Sequence, residues 1–247
     1  PGDQAFHDVV VVDHAQGVYF WDTDGKRYID FNSQLMNVNI GPGNKKVIQS
    51  IKDQADKLAY TSPFHATEVR GRLGQLLAEV TPGNLKKSFF TLGGAEANEN
   101  AVKVARFYTG KHKILARYRS YHGGTAGAIT LTGDPRRWPA EPGIPGVVHF
   151  LDPYRYRSTF HRTNPDITEE EFSQDYLNHL EEVIRFEGQE TIAAVLLESV
   201  TGTNGILIPP AGYMQGVRAL CDKYGILMIA DEVMSGFGRT GKWFAVE

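Results

Sequence analysis

Cysteine is nearly missing from this sequence: Cys221 is its single thiol. One cysteine excludes an internal disulfide framework and suits a reducing compartment, so a cytoplasmic location is expected. Long apolar runs are missing too. No stretch reaches the ~18 consecutive apolar residues of a membrane span, and the opening Pro1-Gly-Asp-Gln lacks the pattern of a signal peptide. Neither sign of charge dominates. The balance of 26 Lys and Arg against 29 Asp and Glu, net -3, leaves no basic field for nucleic acid or an acidic membrane surface. The eight histidines show no metal-ligand spacing, and no G-x-S-x-G nucleophile turn occurs. There is no internal repeat and no low-complexity segment. What is left is a soluble, globular chain of 247 residues, long enough to bury one large core.

The first forty residues read as an antiparallel preface of short β-prone runs, Val9 to Val12, Val18 to Trp21 and Tyr28 to Phe31. Asp24-Gly25 is a hairpin signal, because Gly takes the positive φ of the turn. Two helices follow, with Ile48, Ile51, Ala55 and Leu58 on one face of the first and Leu73, Leu76, Leu77 and Val80 on one face of the second. From about residue 85 strand and helix alternate. Ser88 to Thr91, Lys113 to Arg117, Val147 to Leu151, Ile192 to Leu197 and Ile226 to Ala230 read as strands. The last of these, unbroken by polar residues, is expected to be buried on both faces of a parallel sheet. Glu96 to Tyr108 reads as a helix with Ala101, Val104, Ala105 and Tyr108 inward. Thr168 and Glu171 form a capping box opening a helix that buries Tyr176, Leu177, Leu180, Val183 and Ile184. Gly212 to Tyr224 is a helix with Val217, Leu220, Cys221 and Tyr224 on one face. The alternation predicts an α/β fold with a mostly parallel sheet.

Four constellations fall at expected strand ends, where ligands bind in open α/β sheets. Thr91-Leu-Gly-Gly94-Ala95-Glu-Ala-Asn98-Glu99 crosses from strand to helix, and the free N–H groups and dipole of a helix start favour a phosphate. An ordinary tight turn would look the same. Ser120-Tyr121-His122-Gly123-Gly124 offers an aromatic ring to stack on a planar ligand, although Tyr121 taken alone reads more readily as a core or hairpin aromatic. Glu198 and Asp231 each follow an apolar strand, where a carboxylate is costly unless it meets a partner. Gly236-Phe-Gly238-Arg-Thr-Gly241 spells G-x-G-x-x-G, yet no helix pattern follows, so it reads as a loop and not as a dinucleotide fingerprint. Tyr154-Arg-Tyr-Arg157 with Phe160, His161 and Arg162 reads as a solvated loop or the mouth of a site for anionic substrates.

In this order and spacing the four constellations, with Asp22-Thr-Asp-Gly-Lys-Arg-Tyr-Ile-Asp30 and Asp231-Glu-Val233, resemble the class III, ω-amino acid aminotransferases. Those are pyridoxal-phosphate enzymes of fold type I. Ser33 to Asn39 and Glu198 to Gly205 look most like the pyruvate-dependent branch acting on ω-amino acids such as β-alanine or taurine. The resemblance implies that Gly94 and Ala95 hold the phosphate of pyridoxal 5'-phosphate through backbone N–H groups. Tyr121 would stack on the pyridine ring with His122 beside it, and Val233 would press on the opposite face. Glu198 would buttress the polar edge, and Asp231 would pair with the protonated ring nitrogen. It further implies a small-molecule amino donor, an oxo-acid acceptor and a homodimer. Residues 1–58 correspond to an N-terminal segment, part of a small domain, and 59–247 to the large cofactor-binding domain, incomplete at its C-terminus.

Three departures stand out. Gly93 and Ala95 occupy positions where the family often has hydroxyl side chains, so phosphate binding would lean on backbone. Met36 stands where related ω-transaminases often carry Trp. The Schiff-base lysine of the family lies some tens of residues past Asp-x-Val, so no catalytic residue is assigned within this chain; Lys242 is too near Asp231 to serve. The resemblance therefore implies an N-terminal portion that is inactive alone. A mutase, racemase or decarboxylase on the same scaffold, or an inert lysine-less binding module, stays open beside the aminotransferase.

Overall fold

The structure is a computed structural model that describes residues 9–247, so the opening tetrapeptide lies outside the described residues. It divides into two compact units, Pro1–Glu79 and Val80–Glu247.

In the first unit β1 (Val12–Gln16), β2 (Tyr19–Asp22) and β3 (Arg27–Ile29) form an antiparallel sheet in that order. The second and third expected runs are present with ends moved by one or two residues, whereas the first strand is displaced and shares only Val12 with the expected Val9 to Val12. The Asp24-Gly25 turn joins β2 to β3, with Gly25 at φ +79° and the Asp22 carboxylate accepting from the Asp24 and Lys26 N–H groups and the Tyr28 hydroxyl. Next comes α1 (Ser33–Met36), a turn whose four residues all have positive φ, between 51° and 61°. Asn44 caps α2 (Lys45–Lys57), and α3 (Glu68–Val80) follows. The expected inward faces of these helices are not buried: Ile48, Ile51, Leu58, Leu73 and Leu76 are exposed. An apolar stripe is necessary for burial, but it also needs an element laid over it.

The second unit is built on a parallel sheet ordered β5-β4-β6-β7, from β4 (Lys113–Arg117), β5 (Val147–Phe150), β6 (Ile192–Glu198) and β7 (Leu227–Asp231). Alternate residues face opposite layers. Ile114, Ala116, Ala194 and Leu196 cluster with Val102 and Ala105 of α4 (Gly94–Thr109) and with Leu131 of α5 (Ala126–Leu131). On the other face Leu115, Val195 and Leu197 join Phe172, Tyr176, Leu180 and Ile184 of α7 (Glu169–Glu187) and Val217 and Cys221 of α8 (Tyr213–Tyr224). The short α6 (Thr159–Thr163) precedes α7. The Thr168–Glu171 capping box forms with both of its hydrogen bonds, and helices on both faces of a parallel sheet are the α/β architecture expected.

Three expectations are corrected. Residues 88–91 join no sheet among the described residues; no strand takes up their N–H and C=O groups, and Phe89 and Phe90 are exposed. The inward face of α4 is rotated: Asn98, Val102 and Ala105 are buried, while Val104 and Tyr108 point outward. A buried polar residue defines this face, so apolar spacing alone misplaces it. Finally, β7 is half-buried and not sealed on both faces; among the described residues it ends the sheet order, with β6 as its one neighbour.

Burial in the second core pushes the Cys221 thiol up to about 11. Thiolate is the reactive form. Ellman's reagent at pH 8 should therefore leave Cys221 unmodified in folded protein and titrate it fully in denaturant; rapid native modification would show that α8 does not pack as described.

Candidate cofactor site

Helix α4 starts at Gly94, and its first intrahelical acceptor is used by Ala97, whose N–H donates to the Gly93 carbonyl at 3.0 Å. The N–H groups of Gly94, Ala95 and Glu96 precede that bond and form an anion-binding end with the helix dipole. Facing this end is Val233. A Cβ on Gly94 would sit 2.7 Å from a Val233 methyl, so only glycine permits this approach. Gly123, at φ +132°, likewise has no room for a side chain, since its Cβ would lie 2.4 Å from the Ala95 methyl. Segments 93–95, 121–123 and 231–233 thus meet at one place.

Asp231 ends β7 with its carboxylate buried. Its Oδ2 accepts from His122 Nδ1 at 2.8 Å and Asn98 Nδ2 at 2.9 Å, and its Oδ1 accepts from the Val233 N–H at 3.1 Å. Asn98 Nδ2 also donates to the His122 carbonyl at 2.9 Å. Burial pushes the Asp231 carboxyl up, but the hydrogen bond and charge of His122, with the Asn98 and Val233 donors, more than reverse this and hold it below its ordinary value. An ionised carboxylate oxygen can only accept, so His122 donates from Nδ1 in this bond. The neighbouring Glu198 pairs in register with Asp231 across β6 and β7. Its Oε1 accepts from the Tyr121 N–H at 3.0 Å and its Oε2 from the Gly202 N–H at 2.7 Å, so one carboxylate clamps two loops. Burial outweighs these donors and raises its pKa.

The structure therefore brings together Gly94, Ala95, Tyr121, His122, Glu198, Asp231 and Val233. The arrangement can receive a flat molecule: N–H groups for an anion at one end, a carboxylate for a cationic ring atom at another, and between them the half-open aliphatic face of Val233, 66% exposed. Two participants carried no assignment from sequence. Asn98 lies one helical turn beyond Gly94, and its polarity on a face otherwise lined by Val102 and Ala105 is the signal that could have found it. Arg136 sits in the Pro- and Arg-bearing connection after α5, with its guanidinium carbon 3.8 Å from the Tyr121 ring centroid. By contrast Gly236–Gly241 forms a loop closed by hydrogen bonds from Phe237 and Gly238 N–H to the Trp243 and Lys242 carbonyls, as expected.

The family model for aminotransferase class-III matches residues 2–247. The chain belongs to this family. Among solved class III structures, taurine:2-oxoglutarate aminotransferase from Bifidobacterium kashiwanohense, determined with PLP and glutamate, is 46% identical with TM-score 0.90 over 98% of this chain and 55% of its own. An (S)-enantioselective omega-transaminase from Thermomicrobium roseum is 41% identical with TM-score 0.91, over 97% of this chain and 54% of its own. The isoleucine 2-epimerase of Lentilactobacillus buchneri is 38% identical over 96% of this chain and 53% of its own length. This class III chain spans about half the length of the curated relatives it matches.

Replacing Asn98 by Ala would strip the buried Asp231 of a donor and leave the His122 carbonyl unmet. We expect a loss of about 1–3 kcal/mol of unfolding free energy by urea titration; a change within ~0.5 kcal/mol would mean that Asn98 is not part of this network.

Proposed function

We propose that the protein is an aminotransferase that uses pyridoxal 5'-phosphate to move an amino group from an ω-amino acid or amine to an oxo-acid such as pyruvate. The observation that carries this reading is the Asp231 carboxylate, held charged by His122 and Asn98, beside the open N-terminus of α4. Pyridoxal phosphate, when bound, supplies an electron sink for the carbon that bears the amine.

In this reading the Gly94 and Ala95 N–H groups bind the phosphate oxygens, reinforced by the α4 dipole. Asp231 holds a proton on the pyridine nitrogen, since a buried anion beside it raises that nitrogen's pKa. His122 and Asn98 keep Asp231 ionised and fix its carboxylate plane. Val233 and Tyr121 would orient the ring of the bound cofactor, and the aliphatic side chain of Val233 would exclude water from its side of the site. Glu198 holds Tyr121 in place through its backbone. A cytoplasmic homodimer is part of the same proposal, supported by the single buried cysteine and by the family resemblance respectively.

Racemisation is the second reading, favoured by the 38% identity to an isoleucine 2-epimerase. The residues named here would serve both reactions by holding cofactor in the same way. Product analysis separates them: transamination needs an oxo-acid and yields a new amino acid, whereas racemisation inverts a single amino acid with no acceptor.

Titrating the purified protein with pyridoxal phosphate should give saturable binding by tryptophan fluorescence and visible absorbance. Asp231→Ala should weaken it by about tenfold or more, the scale of a lost charge-assisted contact. Equal affinity in the variant would remove Asp231 from the site, and borohydride trapping of cofactor on Lys242 would contradict the exclusion of that lysine.

A further inference from the structure

The site places two carboxylates, Glu198 and Asp231, side by side in adjacent strands. An amino acid or oxo-acid also carries an anion, which this pair repels unless a cation stands nearby. Two guanidinium groups border the acids. Arg117 is 2% exposed, with Nη2 donating to the Glu198 carbonyl and, at 3.1 Å, to Thr201 Oγ1, so it is closed off beneath the site. Arg136 is different: its side chain is 47% exposed.

Three contacts hold the Arg136 guanidinium. Its Nε donates to both oxygens of Asp134 at 3.0 Å, and Nη2 donates to Asp134 Oδ2 and, at 2.8 Å, to Thr203 Oγ1. Its plane lies over Tyr121, 3.8 Å from guanidinium carbon to ring centroid. Asp134 is itself buried and tied down by the Asn204 amide at 3.2 Å and the Arg136 N–H at 2.9 Å. Nη1, with two N–H groups, has no partner among the described residues. The side chain is thus immobilised by one edge while the other presents paired donors, the geometry that recognises a planar or tetrahedral oxyanion. Because the rotamer is already fixed, little ordering entropy opposes binding there.

We infer that Arg136 is a specificity-determining residue that receives the carboxylate or sulfonate of the substrate through Nη1, adjoining Tyr121. The assignment rests on the aminotransferase reading for the identity of the substrate, and names the feature by which that substrate would be distinguished from an uncharged amine.

The test compares the full-length enzyme that contains this chain with its Arg136→Met and Arg136→Lys variants, using three donors of similar size, β-alanine, taurine and propylamine, and pyruvate as acceptor. Arg136→Met should raise KM for β-alanine and taurine by about tenfold or more beyond any change in KM for propylamine, so that the preference for acids over the uncharged amine falls by at least that factor, whatever common change in kcat the loss of support for Tyr121 brings. Arg136→Lys, which keeps the charge without the fork, should recover part of the preference for acids, and it serves as the test where the Met variant does not fold. A loss confined to β-alanine would assign carboxylate alone, and a loss confined to taurine sulfonate alone. An equal change for all three donors, or unchanged KM for both acids, would overturn the inference and leave Arg136 as a support for Tyr121. Propanoate and methanesulfonate carry the anion without an amine. Their dissociation constants by calorimetry should rise about tenfold in Arg136→Met whether or not cofactor is loaded, and no rise would likewise overturn it. Failure of the wild type to bind pyridoxal phosphate by absorbance would instead count against the aminotransferase reading.

Discussion

A buried carboxylate at the end of a parallel strand is the constraint on which the rest of this molecule turns. Left alone, Asp231 would be neutral or destabilising. It is neither, because α4 delivers Asn98 from one side and the loop after β4 delivers His122 from another. Each of those donors is in turn fixed: Asn98 by the packing of Val102 and Ala105, on the same face of α4, against Ile114, Ala116, Ala194 and Leu196 of the sheet, His122 by the Thr132 hydroxyl that accepts its backbone N–H at 2.9 Å. Charge on Asp231 is therefore a property of the whole layer between the helix and the sheet. The close approach of Gly94 to Val233 and of Gly123 to Ala95 follows from the same convergence, since three chain segments must come within contact of one carboxylate.

Much of the second unit was legible in the sequence because its signals are local. The unbroken apolar run of β6, the Thr168–Glu171 box and the face of α8 each announce themselves within one element. Misses arose where structure depends on something distant. Residues 88–91 have the composition of a strand but no ladder partner among the described residues. The face of α4 could not be read from apolar spacing because its key member is an asparagine, whose acceptor lies 133 residues away. In the first unit, amphipathic α2 and α3 show their stripes clearly, and the stripes are exposed nonetheless.

The site was legible in a different way. Each constellation alone had an ordinary explanation, and what set them apart was their recurrence at successive strand ends. Parallel pairing then does what no local pattern can, aligning Glu198 with Asp231 and bringing Tyr121 onto the Glu198 carboxylate. Arg136 escaped because it sits in an irregular, proline-bearing connection, where neither periodicity nor turn chemistry indicates which way a long side chain will reach.

Asp231 and Glu232 are neighbours in sequence, yet their carboxylates serve unrelated ends. Glu232 accepts from the Ser199 and Ser235 hydroxyls and from the N–H groups of Ala245 and Val246, fastening the loop that contains Gly236 to Gly241 back onto the end of the sheet. Successive side chains leave a strand on opposite sides, so the two acids form a double-faced hinge pin. Sliding β7 by a single residue against β6 would exchange them, turning the longer glutamate toward His122 and the shorter aspartate toward the loop. Neither reach would then match its partners. The acid pair thus acts as a vernier for the sheet, making the alignment of its terminal strand costly to shift in either direction.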